Sequence, residues 1–159
     1  MNSFGTDEYI TEVVKAYSNS LLKTAFAILK SVDDAEDVVQ EVFIKLISKK
    51  PIFKSSEHEK AWLLRVTINT SRNLLKSSSR KNLPLEENIP FSYAENMELL
   101  SVVMSLPERY RTVIHLHYYE GYSIKEIASI VRKPSATVGT QLARGRKILK
   151  EMLKGDYSV

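Results

Sequence analysis

Residues 122–150 read "YSIKEIASIVRKPSATVGTQLARGRKILK", and the break in the middle of that stretch decides the fold. Ser123 followed by Glu126 fits a capping box, in which two backbone N–H groups at a helix start find side-chain acceptors. Ile124, Ile127, Ala128 and Val131 then share one face of the helix that follows. Pro134 disfavours helix at Lys133, and Ser135 can cap a second helix. Two short helices joined by a tight turn, the second long and basic, fit a helix-turn-helix.

The second helix sorts by angle at 100° per residue. Val138, Leu142 and Leu149 share one side and are expected to pack inward. Thr137, Thr140, Gln141 and Arg144 lie opposite, toward the N-terminal half; such side chains in such places reach base edges in a major groove. Arg146, Lys147 and Lys150 sit further round, where they suit phosphates. The competing reading is an ordinary amphipathic C-terminal helix.

Outward from that motif the chain reads as helix throughout. Helices are expected over about 7–30, 33–49, 57–79, 94–105, 107–119, 123–131 and 135–153, and no stretch alternates as a half-buried strand does. Residues 81–93, "KNLPLEENIPFSY", hold two prolines and little periodicity, which reads as a flexible linker. The expected fold class is therefore all-α, with two small helical domains joined by that linker. Residues 1–80 form the first domain and residues 94–159 the second, which contains the helix-turn-helix.

Charge is unevenly placed. The 159-residue chain carries a net +4. Residues 60–81 hold Lys60, Arg65, Arg72, Lys76, Arg80 and Lys81 and no acid, and residues 132–154 set seven basic residues against Glu151 alone. Two basic blocks separated by neutral-to-acidic sequence suggest two contacts with a polyanion; solvated helix faces are the plainer explanation for either block alone. In "DDAEDVVQEV", residues 33–42, five carboxylates gather with no base. Ala35, Val38, Val39, Val42 and Leu46 form the buried face there, and Asp37, Gln40, Glu41, Ile44 and Ser48 the opposite one. Acids in a first turn favour the helix dipole, which accounts for Asp33, Asp34 and Glu36. It does not reach Glu41, nor explain an isoleucine amid polar residues. An acidic rim around Ile44 suits docking of a basic protein.

In the next helix Arg65, Asn69, Arg72, Lys76 and Arg80 fall within about 80° of arc, flanked by Trp62 and Asn73. A cationic stripe edged by an aromatic and amides can hold a phosphate backbone and offer surfaces to bases. Trp62 equally suits plain core packing. The preceding loop, "PIFKSSEHEK", is polar enough to be exposed and to meet an unstacked base.

Three stretches in this order, "DDAEDVVQEVFIKL", "AWLLRVTINTSRNLLKSSSRK" and "LPERYRTVIHLHYYEGYSIKEIASIV…SATVGTQLARGRKILK", resemble the sigma-70 family of bacterial RNA polymerase initiation factors. Having only two parts and a short linker, the chain is similar to the small extracytoplasmic-function (ECF) class. The resemblance implies a sigma factor that binds core RNA polymerase and directs promoter-specific initiation. It implies docking on the polymerase clamp coiled coil through Asp37, Gln40, Glu41 and Ile44, with a further contact at the flap. It implies recognition and melting of the minus-ten element by Trp62, Arg65, Asn69, Arg72, Asn73, Lys76 and Arg80. Reading of the minus-thirty-five element would fall to Thr137, Thr140, Gln141, Arg144, Arg146 and Lys147. The linker would run toward the RNA exit channel, and an anti-sigma factor would hold the protein in reserve. Many relatives carry a basic residue where Gly139 and Gln141 stand, so the family's commonest upstream sequence is not assumed.

Other classes fit less well. A free-standing helix-turn-helix regulator would leave the acidic face and the Arg65–Arg80 stripe unused, and no dimerisation heptad is evident. A metal-dependent enzyme would need ligands that converge. His115 and His117 on one helix point about 160° apart, and the carboxylates of residues 33–41 have no nearby histidine or glycine-rich phosphate loop. No catalytic residue, metal or cofactor is expected. Without cysteine there is no disulfide framework. The opening "MNSFGTDEYI" lacks the pattern of a signal peptide, and no apolar run reaches bilayer length. A cytoplasmic protein with no membrane insertion is expected.

Overall fold

The computed structural model describes residues 7–77 and 97–157. The linker, residues 94–96 and Arg80 lie outside the described residues. Among those described there is helix but no strand. The chain divides into two compact units, Met1–Leu83 and Pro84–Val159.

In the first unit α1 (Asp7–Leu29), α2 (Val32–Lys49) and α3 (Ser56–Lys76) pack against one another in every pairing. The core holds Leu21, Phe26, Ile28, Leu46, Leu63, Leu64 and Ile68. Helix α2 starts because the Ser31 side chain accepts from the Asp34 N–H at 3.2 Å, with Asp33 and Asp34 on the positive end of the dipole. It stops at Lys50, whose φ of 46° turns the chain left-handed while its N–H still reaches the Leu46 carbonyl. All five residues expected on the buried face of α2, Ala35, Val38, Val39, Val42 and Leu46, are buried. Ser55 caps α3 by accepting from the His58 N–H at 3.1 Å.

One carboxylate enters this core. Glu59 is buried and accepts a hydrogen bond from the Tyr9 hydroxyl, tying the start of α3 to the start of α1. Burial, with Glu59 beside it, pushes the Tyr9 phenol above its usual range, and the same two causes raise Tyr17. A phenol whose pKa is higher folded than unfolded contributes stability below the unfolded value of about 10 and loses it as pH rises. Wild type is therefore expected to lose stability steeply above about pH 10, and Tyr9→Phe less steeply. Urea melts between pH 7 and 11 read this directly. At neutral pH the same variant is expected to be weaker by about 1.5–3 kcal/mol, the worth of a bond to a charged acceptor.

The second unit is built around α5 (Glu108–Ile114) and a π-helical turn, His115–Tyr119, with α4 (Met97–Met104), α6 (Ile124–Val131) and α7 (Ser135–Tyr157) around it. Helices α4 and α5 pack on α7, and α6 packs on both α7 and the π-turn. Seven consecutive residues, Tyr110–Leu116, are buried, which no one-sided helix does. The polar members must then be satisfied internally. Arg111 Nη1 donates to the Leu106 carbonyl at 2.6 Å, and His115 Nε2 lies 3.8 Å from Glu120 Oε2.

Three expectations change here. The helix over 107–119 is not uniform: the Glu120 N–H bonds to the His115 carbonyl five residues back, widening its last turn. Ser135 is the first residue of α7 rather than its cap, because the Val138 N–H takes the Pro134 carbonyl. On α6, Ile124 is exposed and Ile130 buried, since packing between α7 and the π-turn covers a different arc from the one counted.

Candidate functional site

The exposed face of α2 carries Asp37, Gln40, Glu41 and Ile44, each accessible, with Ile44 63% exposed. One turn on, Ile47 is also exposed and extends the apolar spot, a residue the angular count did not single out. An open groove of about 460 Å³ runs between α2 and α3, lined by Asp34, Asp37 and Glu41 on one wall and Thr70, Asn73 and Ser77 on the other. Lys45 stands in it, 3.6 Å from Glu41 and donating to Thr70 Oγ1 at 3.1 Å. Glu41 is thus partly offset by its own helix. No helix among the described residues is long and apolar enough to cross a membrane.

On α3 the stripe separates into two kinds of residue. Asn69, Asn73 and Lys76 are exposed, while Trp62, Arg65 and Arg72 are half-buried. Arg65 and Arg72 already have partners within the protein. Trp62 meets Phe53 edge-on at 5.8 Å, and Phe53 meets His58 in the same way at 5.4 Å. His58 in turn accepts the Lys54 N–H at Nδ1 (3.1 Å), which pins the loop back onto α3. Ile52, 89% exposed, stands at the tip of this loop. Phe53 and His58 escaped the sequence reading because ring contacts across a loop leave no periodic trace.

The helix-turn-helix has the expected start. Ser123 Oγ accepts the Glu126 N–H at 3.1 Å and Glu126 Oε1 accepts the Ser123 N–H at 3.0 Å. The Ser123 backbone N–H, and after it the Ser123 hydroxyl, hold the Glu126 carboxyl below its usual range. The turn passes through Arg132 in a left-handed conformation at φ 55°. On α7, Val138 and Leu142 are buried. Thr137, Thr140, Arg144, Arg146 and Lys147 are exposed and Gln141 half-buried. The Arg146 guanidinium lies over the Tyr118 ring, 5.6 Å from its centre, which holds a flexible cation in one place. His115 and His117 do not converge: the first faces Glu120 and the second donates from Nδ1 to the Tyr122 carbonyl at 2.8 Å.

The two glycines of α7 differ. A side chain added at Gly139 would meet nothing within 4 Å. Replacing it by alanine is expected to stabilise the second unit by roughly 0.8–1 kcal/mol through helix propensity alone. Thermal melting of Gly139→Ala tests this.

The described residues thus place an exposed acidic face with Ile44 on α2, a polar and basic stripe on α3 and a helix-turn-helix in the second unit. Comparison with known proteins identifies the family. The Sigma-70 region 2 model matches residues 13–81, and the Sigma-70 region 4 model matches residues 96–149. RNA polymerase sigma factor SigV of Bacillus subtilis is 27% identical over 96% of both chains. The ECF RNA polymerase sigma-E factor of Haemophilus influenzae is 31% identical over 77% of this chain and 76% of that one. Among solved structures, the sigma factor RpoE in complex with the anti-sigma factor NepR, from Bartonella quintana, covers 94% of this chain and 98% of its own at a TM-score of 0.77 and 21% identity. CnrH in complex with the cytosolic domain of CnrY gives a TM-score of 0.73 at 24% identity, covering 96% and 92% of the two chains. The chain belongs to the ECF class of the sigma-70 family. Its function is promoter-specific initiation of transcription with RNA polymerase, with the minus-ten and minus-thirty-five recognition typical of these two regions.

Proposed function

We propose that residues 1–80 act as region 2, residues 94–159 as region 4, and residues 81–93 as a linker running toward the RNA exit channel. The α2 face of Asp37, Gln40, Glu41 and Ile44 docks on basic residues of the polymerase clamp coiled coil, and the second unit meets the flap. Acid faces the enzyme while the basic blocks face DNA, and this division resolves why a chain of net charge +4 concentrates carboxylates on one helix. The minus-ten element is recognised and opened by Trp62, Arg65, Asn69, Arg72, Asn73, Lys76 and Arg80. Among these, the exposed Asn69, Asn73 and Lys76 touch DNA directly, and the half-buried Trp62, Arg65 and Arg72 also shape the surface beneath. The minus-thirty-five element is read by Thr137, Thr140, Gln141 and Arg144, with Arg146 and Lys147 on phosphates. The protein performs no catalysis of its own and works in the cytoplasm. The similar fold of RpoE, solved in complex with the anti-sigma factor NepR, supports an anti-sigma factor as a partner here too.

The observation that carries this reading is the set of amide and ammonium groups exposed on one face of α3, beside the tethered loop. Its test is opening of a promoter labelled with a fluorescent base analogue. Asn73→Ala with Lys76→Ala is expected to slow opening of duplex about tenfold, the joint loss of one base-edge and one phosphate contact. Transcription from a template with a pre-opened bubble should change little. Equal loss on both templates would place these residues in binding rather than melting.

A further inference from the structure

The start of α3 is held differently from the start of α6. At α6 the Glu126 carboxylate returns to the N–H of the capping residue, Ser123. The residue in the same place on α3 is His58. Its N–H donates to Ser55 Oγ at 3.1 Å, and its ring Nδ1 accepts the N–H of Lys54, one residue before the cap, also at 3.1 Å. Glutamate or glutamine usually makes such a return bond. The imidazole adds a rigid ring, and that ring meets Phe53 edge-on, with centres 5.4 Å apart and planes at 89°. Phe53 in turn meets Trp62 at 5.8 Å. The N–H that His58 accepts belongs to the peptide bond joining Phe53 to Lys54. One ring therefore fixes both the side chain of Phe53 and the backbone that follows it. Phe53 and Trp62 stay half-buried, with part of each ring open to solvent, and Ile52 beside them is exposed.

We infer that His58 is a positioning residue for promoter opening: it holds Phe53 edge-on against Trp62, so that an aromatic wall for an unstacked base stands ready before DNA arrives. Every base has a π-face, so stacking on such a wall accepts whichever base is presented. Fixing the ring in advance removes ordering entropy otherwise lost on binding. A glutamate at this position would satisfy the Lys54 N–H equally well and leave Phe53 without its second ring contact. His58 touches no base; it acts through Phe53. The inference rests on the proposed opening of the minus-ten element by α3 and its loop.

The test uses the full chain bound to core polymerase and a promoter which that holoenzyme selects from a library. Transcription from the duplex and from the same template with a pre-opened bubble is measured on one preparation, with template in excess, so any loss of folded protein cancels from the ratio. His58→Gln keeps an acceptor for the return bond and removes the ring. It is expected to lower the duplex-to-bubble ratio roughly fivefold, the cost of ordering one side chain on binding. Phe53→Leu is expected to lower it at least as much, and the double variant no further than Phe53→Leu alone. A wild-type ratio in His58→Gln or in Phe53→Leu, or losses that multiply in the double variant, would overturn the positioning role. The opening role of α3 stands in that event if Asn73→Ala with Lys76→Ala still lowers the ratio. A ratio unchanged in that variant too would remove both.

Discussion

Reversing charge at Asp37 and Glu41 together, as Asp37→Lys with Glu41→Lys, is expected to weaken binding to core polymerase by roughly a hundredfold or more. Close charge pairs across protein interfaces couple by about 1.5–7 kcal/mol, and reversal turns attraction into repulsion at two points of one face. Both residues are exposed on α2, opposite the buried Val38, Val39 and Val42, so the change falls outside the core. The Glu41 contribution is the smaller, because Lys45 already stands 3.6 Å from it and would be freed or repelled by the new lysine. Native-gel or fluorescence titration with core enzyme gives the affinity, and circular dichroism shows whether helix content is kept. Weaker binding with unchanged helix content, falling off less steeply with salt than in wild type, is the pattern expected of a lost electrostatic contact.

The second large effect is on stability. Gly145→Leu is expected to destabilise the second unit by about 1–3 kcal/mol, the range for forcing extra methylenes into a packed interior. For a unit of this size that corresponds to a drop of roughly 4–8 °C in melting temperature per kcal/mol. The first atom met would be Ile114 Cδ1 at 2.7 Å, and Ile114 is itself buried with little room to rotate away. Alanine is a different case. The terminal methyl of Ile114 would have to shift, while helix propensity returns about 0.8–1 kcal/mol. Differential scanning of Gly145→Leu beside Gly139→Ala, one in a closed site and one in an open site on the same helix, separates packing from propensity. Two glycines with equal outcomes would contradict the close approach of α5 and α7.

What the sequence made legible follows from how local each signal is. The capping box of Ser123 and Glu126 is written in four residues and appears as expected. The buried face of α2 repeats at helical spacing, and all five of its members are buried. Val138 and Leu142 obey the same rule, while Leu149, expected on the same side, is only half-buried. Features that depend on a neighbouring helix were not legible. Glu59 reads as an ordinary first-turn acid until Tyr9, fifty residues earlier, is folded against it. Arg111 and His115 look like surface residues, yet they sit on a helix covered all round. Gly145 reads only as a weak helix former, because nothing in the pattern says that Ile114 will stand against it. On α3 the angular count found the stripe but not its depth, so Arg65 and Arg72 looked as available as Lys76. Arg80, the last member of that stripe, lies outside the described residues.

The most direct test of the account is run-off transcription with purified bacterial core polymerase, this protein and a library of promoter templates. Start-specific transcripts that require the protein and disappear with Asp37→Lys and Glu41→Lys are expected. Their upstream sequences are expected to share two elements, the farther one losing its influence in Arg144→Ala. Core polymerase that neither binds the protein nor starts at new sites, even at low salt, would contradict the account.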